Sequence, residues 1–452
     1  MMMDSLIYFL PALMFPVLAL GLFSGFPVAF VLGGVGLLFG LIGMGLDVFN
    51  FKEFFLINSR IFGAVVENLI LISIPMFIFM GLILERSGIA RELLHSLQIM
   101  TKRAPGGLAM SVTLLGTIMA ATTGIIGASV VMITLMAFPA MLSANYDKQF
   151  TSGTIAAAGT LGILIPPSIM LVIMGDLLSI SVTDLFMTAL IPGLMLATFY
   201  LIYIMIKNRN HIQNDASLPN SDDPLLLIIL KGFLPAILLI FLVLGSVFGG
   251  YATPTEAAGV GAFSALILAV IKKKLDLKKF AEMCDGTIKT SGMVFGIFVG
   301  ATAFSYVFRS LGGDDLIINL MNSFPGGPWT VLLILMLITF MLGFFFDWIE
   351  ITLIILPIFA PILNGLDFAG HIETAQILPW FAILMAINLQ TSFLTPPFGF
   401  ALFYMKGVAP KSVMMQDIYK GVVPYIIIQL IGLIFVMIFP AIAFWLPSLL
   451  NQ

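Results

Sequence analysis

The chain has 452 residues, 60% of them hydrophobic and only 10% charged, with a formal net charge of −3. Soluble domains carry about 25% charged residues, and no stretch here is long and polar enough to fold as one, so the composition is that of an integral membrane protein with room for about ten to twelve spans. The lone Cys284 excludes an internal disulfide, the scattered His95, His211 and His371 make no HExxH-type metal spacing, and with no GxxxxGK loop ATP hydrolysis is not expected; without a Cys pair or a His within a span no enzyme is expected, nor a nucleic-acid partner.

The first apolar run, MMMDSLIYFLPALMF, lacks a basic region before it and reads as a first span rather than a cleaved signal. Ser24-Gly25-Phe26-Pro27 opens the second span, and the amphipathic DVFNFKEF from Asp47 begins an arm near 47–68. After Pro105-Gly106-Gly107 comes a stretch too broken to be a simple span, with Thr122, Thr123, Gly124, Gly127, Ala128 and Ser129 at its middle. Two arms of about 15 residues, roughly 22 Å each as helix, fall short of a crossing and predict a hairpin that dips partway in and returns. The hydroxyls at its tip fit close helix packing or a cation site.

AGTLGILIPPSIMLVIMG follows, broken at Pro166-Pro167. Adjacent prolines remove two backbone donors and stop a helix. In lipid the freed carbonyls must be buried in protein or line a polar cavity.

The polar stretch 207–224 predicts a linker, after which the landmarks return. Ala252-Thr253-Pro254 opens a span, LDLKKFAEM from Asp276 begins an arm near 272–286, and Pro325-Gly326-Gly327 precedes a second hairpin. Its apex holds Gly343, Asp347, Trp348, Glu350 and Thr352. A charged Asp at mid-membrane costs roughly 2.5–3.5 kcal/mol, so Asp347 and Glu350 either sit solvated at an interface or shape a cation site. NLQTSFLTPPFGFALFYMKG then breaks at Pro396-Pro397, 230 positions after the first pair. Ordered recurrence at offsets of 220 to 230 predicts two units, 1–206 and 225–452, joined by the 207–224 linker.

With a hairpin in each, a unit crosses an odd number of times and the second is inverted. Threading the chain with both termini outside puts 17 of the 20 Lys and Arg inside, leaving Lys52, Arg60 and Arg309 outside, as the positive-inside rule expects. Matched interrupted helices, one per half, point to the substrate and ion site of a secondary transporter. Backbone carbonyls and Ser/Thr hydroxyls suit Na⁺, and half-helix N-termini suit an anion. The fold expected is therefore all-α and polytopic, an inverted repeat with two re-entrant hairpins and two Pro-Pro-broken helices. Spans 6–45 and 225–271 would form the fixed frame.

GTLGILIPPSIMLVIMGD, LFMTALIPG, TPTEAAGVGA and LQTSFLTPPFGFALFYMKG resemble the large membrane subunit of the tripartite ATP-independent periplasmic (TRAP) transporters, nearly end to end. The resemblance implies a Na⁺-driven elevator importer of small organic anions in a bacterial inner membrane. It implies two partners, a small four-helix membrane subunit and a periplasmic substrate-binding protein. It carries cation-binding roles onto Gly124, Gly127, Ser129, Thr160, Gly162 and Pro166, and onto Gly343, Asp347, Thr391, Ser392, Thr395 and Pro396. The chain departs from a Gly-Ser-Ser-like first tip, having GIIGAS instead. That tip, with DWIEITLIILP, is closer to the branch associated with 2-oxo acids, lactate, mannitol and haloaromatic acids, and a 2-oxo acid or other monocarboxylate is expected. A stand-alone Na⁺/carboxylate symporter is the alternative reading.

Overall fold

The computed structural model describes residues 2–123, 126–209, 224–323 and 325–450, and every regular element among them is helical. The chain begins with α1 (Met2–Phe23), α2 (Val28–Gly45), α3 (Phe51–Ile61), α4 (Ser73–Arg86) and α5 (Ile89–Met100). Hairpin 1 is α6 (Gly107–Thr123) and α7 (Ile126–Ser143), and the first broken helix is α8 (Lys148–Thr160) and α9 (Ile169–Leu177), followed by α10 (Val182–Lys207). After residue 224 come α11 (Leu225–Phe248), α12 (Pro254–Ile271), α13 (Leu277–Ser310) and α14 (Gly313–Ser323). Hairpin 2 is α15 (Gly327–Leu342) and α16 (Trp348–Asn364), and the second broken helix is α17 (Ile377–Leu394) and α18 (Phe400–Val408). The chain closes with α19 (Met415–Ile438) and α20 (Ala441–Leu450).

Nine helices among the described residues are long and apolar enough to cross a membrane. Several apolar helices, Ile7–Phe23 and both arms of hairpin 2 among them, fall just below that length, which accounts for the shortfall from ten to twelve. The hairpin arms run 17 and 18 residues in the first case and 16 and 17 in the second. At 1.5 Å per residue that is roughly 24–27 Å, longer than the 22 Å anticipated and close to the hydrocarbon thickness.

Caps rather than composition set the helix starts. Asn50 begins α3 through a capping box with Glu53, and Asp276 accepts from the Lys279 N–H at 2.7 Å to begin α13. Asn50 and Asp276 are thus the residues that cap the two arm helices, while Asp47 lies in the turn before α3 with φ 57°. The two arms also differ. The first ends in a π turn at Phe62–Val66 and a 3₁₀ turn at Leu69–Ile72 before α4, whereas α13 continues unbroken for 34 residues.

Helices meet where small residues let backbones approach. Along α2 and α13, a Cβ on Gly36 would sit 3.2 Å from the Phe304 backbone, and one on Gly300 would strike the Ala29 carbonyl. Along α4 and α12, Gly261 faces Met80. Gly153 of α8 and Gly421 of α19 lie backbone to backbone. Both broken helices occupy the middle of the protein. Every residue from Phe150 to Gly175, across α8, its break and most of α9, is buried, as is every residue from Trp380 to Leu394 on α17.

Candidate ion and substrate site

Each break follows from proline chemistry. Pro166 and Pro167 cannot donate to the carbonyls of Gly162 and Ile163, nor Pro396 and Pro397 to those of Ser392 and Phe393. Two of these acceptors find substitutes: Ile163 takes the Ser168 hydroxyl at 2.8 Å, and Ser392 takes the Thr395 N–H at 3.0 Å. The carbonyls of Gly162 and Phe393 are left without a helix donor, one in each break. Both prolyl-prolyl bonds, Pro166-Pro167 and Pro396-Pro397, are cis.

Hairpin 2 docks on its own broken helix. Asn388 and Ser392, one turn apart on α17, face α15 together. Asn388 Nδ2 donates to the Met336 carbonyl at 2.7 Å and to Thr339 Oγ1 at 2.8 Å, and Ser392 Oγ donates to the Phe340 carbonyl at 2.5 Å. Gly343, the first residue of the apex, lies against Ser392 so closely that a Cβ would come within 2.5 Å of its Oγ. Thr391 donates to the Ile387 carbonyl and Thr395 to that of Thr391, both at 2.8 Å. Such back-bonded hydroxyls direct their proton into the helix and keep oxygen lone pairs for a cation. Gly343, Thr391, Ser392, Thr395 and Pro396 thus form one cluster.

Asp347 has a further duty. It is the N-cap of α16, with Oδ1 accepting from the Trp348 N–H at 2.8 Å, while Glu350 Oε2 accepts from the Asp347 N–H at 3.3 Å. This capping box explains both carboxylates at the hairpin apex. Asp347→Ala is expected to cost about 1 kcal/mol, read as a lower thermal midpoint, and Asp347→Asn to restore it, because Asn caps equally well.

Hairpin 1 is placed similarly. Ser129 is buried at the start of α7, and its neighbour Val130 packs backbone-close on Gly159, next to Thr160. Thr160, Gly162 and Pro166 lie buried together in the first break. Gly127 faces the ring of Tyr404, on the second broken helix, at 2.9 Å from where a Cβ would be. Gly124 lies outside the described residues.

The reading from sequence missed Asn388, an Asn at helical spacing from Ser392, and a buried polar layer between the two breaks. In that layer Gln390 Nε2 reaches Thr160 Oγ1 at 3.4 Å and Tyr200 OH at 3.5 Å. Gln429 Nε2 reaches Tyr200 OH at 2.7 Å, and Thr154 meets the Tyr425 hydroxyl at 2.7 Å. Thr160 is therefore engaged by Gln390 as well as back-bonded to Ala157.

Two cavities flank α13. One of about 470 Å³ is lined by Arg60, Asp176, Tyr306, Arg309 and the second arm of hairpin 2. Arg309 Nη2 donates to the Pro357 carbonyl at 2.5 Å, and Asp176 accepts from Asn68 Nδ2 at 2.7 Å. The other, about 1070 Å³, runs between α2, α3 and α13 from Lys289 to Glu350. Both volumes are in the range of small-molecule sites.

Comparison with known proteins gives a consistent result. Residues 15–442 match the family model "Tripartite ATP-independent periplasmic transporter, DctM component". The chain is 29% identical over 387 residues to the C4-dicarboxylate TRAP transporter large permease of Pseudomonas aeruginosa, covering 85% of this chain and 88% of that one. It is 27% identical over 427 residues to the 2,3-diketo-L-gulonate TRAP transporter large permease of Escherichia coli, covering 93% and 94%. The YdaH transporter of Alcanivorax borkumensis, 14% identical, superposes with a TM-score of 0.59 over 87% of each chain and shares the fold.

Proposed function

For a chain that belongs to the DctM component family of the tripartite ATP-independent periplasmic transporters, we propose a Na⁺-coupled importer of small organic acids in a bacterial inner membrane. It would work with a small four-helix membrane subunit and a periplasmic binding protein, with both of its own termini on the periplasmic side. The observation that carries this reading is the matched pair of hairpin tips, each lying against a proline-broken helix that holds a carbonyl with no helix donor. Na⁺ needs such neutral oxygens, and placing them on separate elements lets the ion hold a tip shut.

The two halves, 1–206 and 225–452, act in this reading as inverted units. The packing agrees with it: α2 lies along α13 as α12 lies along α4, an exchange of equivalent partners. Hairpins and broken helices would move as a block against the outer spans. Ser129, Thr160 and Gly162, with Gly124, Gly127 and Pro166 shaping the tip and break, would serve one ion. Thr391, Ser392 and Thr395, with Gly343, Asp347 and Pro396, would serve the other. A 2-oxo acid or other monocarboxylate is the favoured cargo. Two of the three basic residues assigned to the outer side, Arg60 and Arg309, line one cavity of a size to receive it.

The test is uptake into proteoliposomes holding all three components, against a panel of 2-oxo acids, hydroxy acids and dicarboxylates, with and without an inward Na⁺ gradient. Uptake that requires the gradient and all components is expected. Uptake by the chain alone would make it a stand-alone symporter, and indifference to Na⁺ would remove the coupling ion. In the same assay Ser129→Ala and Thr395→Ala should each raise the half-saturating Na⁺ concentration about three- to tenfold, as expected for losing one contact of ordinary hydrogen-bond strength. Wild-type Na⁺ dependence in both would sink the site assignment.

A further inference from the structure

Far from the hairpin tips, a cleft of about 490 Å³ opens between α5, α11 and the turn that leads into α13. Arg91 comes from α5, Lys231 from α11 and Lys274 from the turn, so three separate elements each send a cation to one place. One carboxylate among the described residues lines the cleft, Glu92, and it already pairs with Lys272 and, at 3.4 Å, with Lys274. Among the described residues the lining thus holds three cations, Arg91, Lys231 and Lys274, to that one carboxylate. We propose that this cleft binds the phosphate headgroup of an anionic phospholipid of the inner leaflet.

Local structure shows how the cleft is built. Residues Ile229–Phe233 of α11 form a π turn, a feature frequent at functional sites, and it carries Lys231. Gly232 lets that turn close on α5, since a Cβ there would collide with Ser96. Ser96 Oγ donates to the Ile228 carbonyl at 3.2 Å, occupying an acceptor that the wider turn releases. The bulge thus carries Lys231 at the cleft that Arg91 also lines, while the Ile228 carbonyl stays paired.

The surroundings select a lipid over a soluble anion. Leu226 (68% exposed), Leu230 (46%) and Ile271 (71%) lie close in sequence to the cleft's basic residues and leave apolar surface uncovered on the same helices, which suits acyl chains near a site for phosphate. All its cations fall on the side that the charge distribution assigns to the cytoplasm, where anionic lipid meets basic pockets between helices. The placement also gives the lipid leverage. α5 leads into hairpin 1 and the 272–276 turn leads into α13, so one headgroup would join the roots of both to α11.

The inference needs only the membrane placement of the chain, not its coupling ion or cargo. Its test is native mass spectrometry of the full chain titrated with phosphatidylglycerol or phosphatidylcholine, beside the triple variant Arg91→Gln, Lys231→Gln, Lys274→Gln. Wild type should bind phosphatidylglycerol about tenfold or more tighter than the variant does, with phosphatidylcholine binding equal in both. Glycerol phosphate at matched concentration should not compete. Equal phosphatidylglycerol binding by wild type and variant overturns the proposal, and competition by glycerol phosphate makes the cleft a soluble-phosphate site instead. Lys231→Arg, which keeps charge on the bulge, should retain binding if the triple variant fails to fold, and Lys231→Gln should weaken it. Retained binding in Lys231→Gln then counts against the cleft.

Discussion

Gly343→Ala is expected to cripple uptake while leaving the protein folded. The added methyl would sit 2.5 Å from Ser392 Oγ and 2.8 Å from its Cβ, so the second hairpin tip must lift from the broken helix. Overpacking costs about 1–3 kcal/mol, which is roughly a 5- to 150-fold loss of the docked tip. The effect should be largest at low Na⁺, because an ion that binds only the docked tip pays for docking out of its own affinity. A second substitution separates sterics from ligation. Ser392→Gly in the Gly343→Ala background makes room for the methyl but removes a hydroxyl, so tip docking should recover in part, against the lost Phe340 bond and a mid-helix glycine, while Na⁺ affinity does not. Full transport by Gly343→Ala at low Na⁺ would mean that the tip does not close against Ser392 during the cycle.

A larger loss of stability is expected from Gly153→Val or Gly421→Val. A Cβ on Gly153 falls on the Gly421 carbonyl, and one on Gly421 falls on the Gln149 carbonyl, so neither side chain can be relieved by a rotamer change. The helices α8 and α19 must separate, at a cost of about 3 kcal/mol or more once two γ-methyls are included. Their separation also pulls Tyr425 from Thr154, which holds it at 2.7 Å. Gly259, on α12 with nothing near its position, is the control: Gly259→Ala should be neutral or slightly stabilising. Thermal unfolding of the purified variants in one detergent reads both results, and equal midpoints for Gly153→Val and Gly259→Ala would contradict the contact.

Much of this architecture was legible from residues with strong local chemistry. The Pro-Pro pairs located the breaks, Gly106 and Gly326 in left-handed turns (φ 71° and 119°) marked the entry to each hairpin, and Thr253 with Glu256 capped a span. The arms were read less well. The amphipathic pattern from Asp47 is visible, but the cap falls on Asn50, since both residues can cap and only the turn geometry decides. The capping role of Asp347 and Glu350 has a sequence signature, an acid followed three residues on by Glu, that the unusual depth of these carboxylates overshadowed. The Gln390, Tyr200 and Gln429 layer was not legible at all. Tyr200 and Gln429 sit in largely apolar runs, Gln390 reads as one of a polar cluster on its own helix, and nothing local says that residues 190 and 229 apart in sequence will meet.

That layer bears on the proposed inverted repeat. Thr160 and Gln390 are 230 positions apart, and Tyr200 and Gln429 are 229 apart, close to the spacing at which every landmark recurs. In the inverted repeat proposed above, each pair would join a position to its own counterpart or to a residue within a turn of it, which happens only near a rotation axis. Had the two halves begun as separate copies of one chain, each of these residues would have faced itself, and a residue facing its twin must be its own complement. A tyrosine hydroxyl with a glutamine amide, or a threonine with a glutamine, is a combination closed to identical copies. Fusion into one polypeptide would remove that restriction first at the axis, making it the natural place for two equal halves to begin to differ.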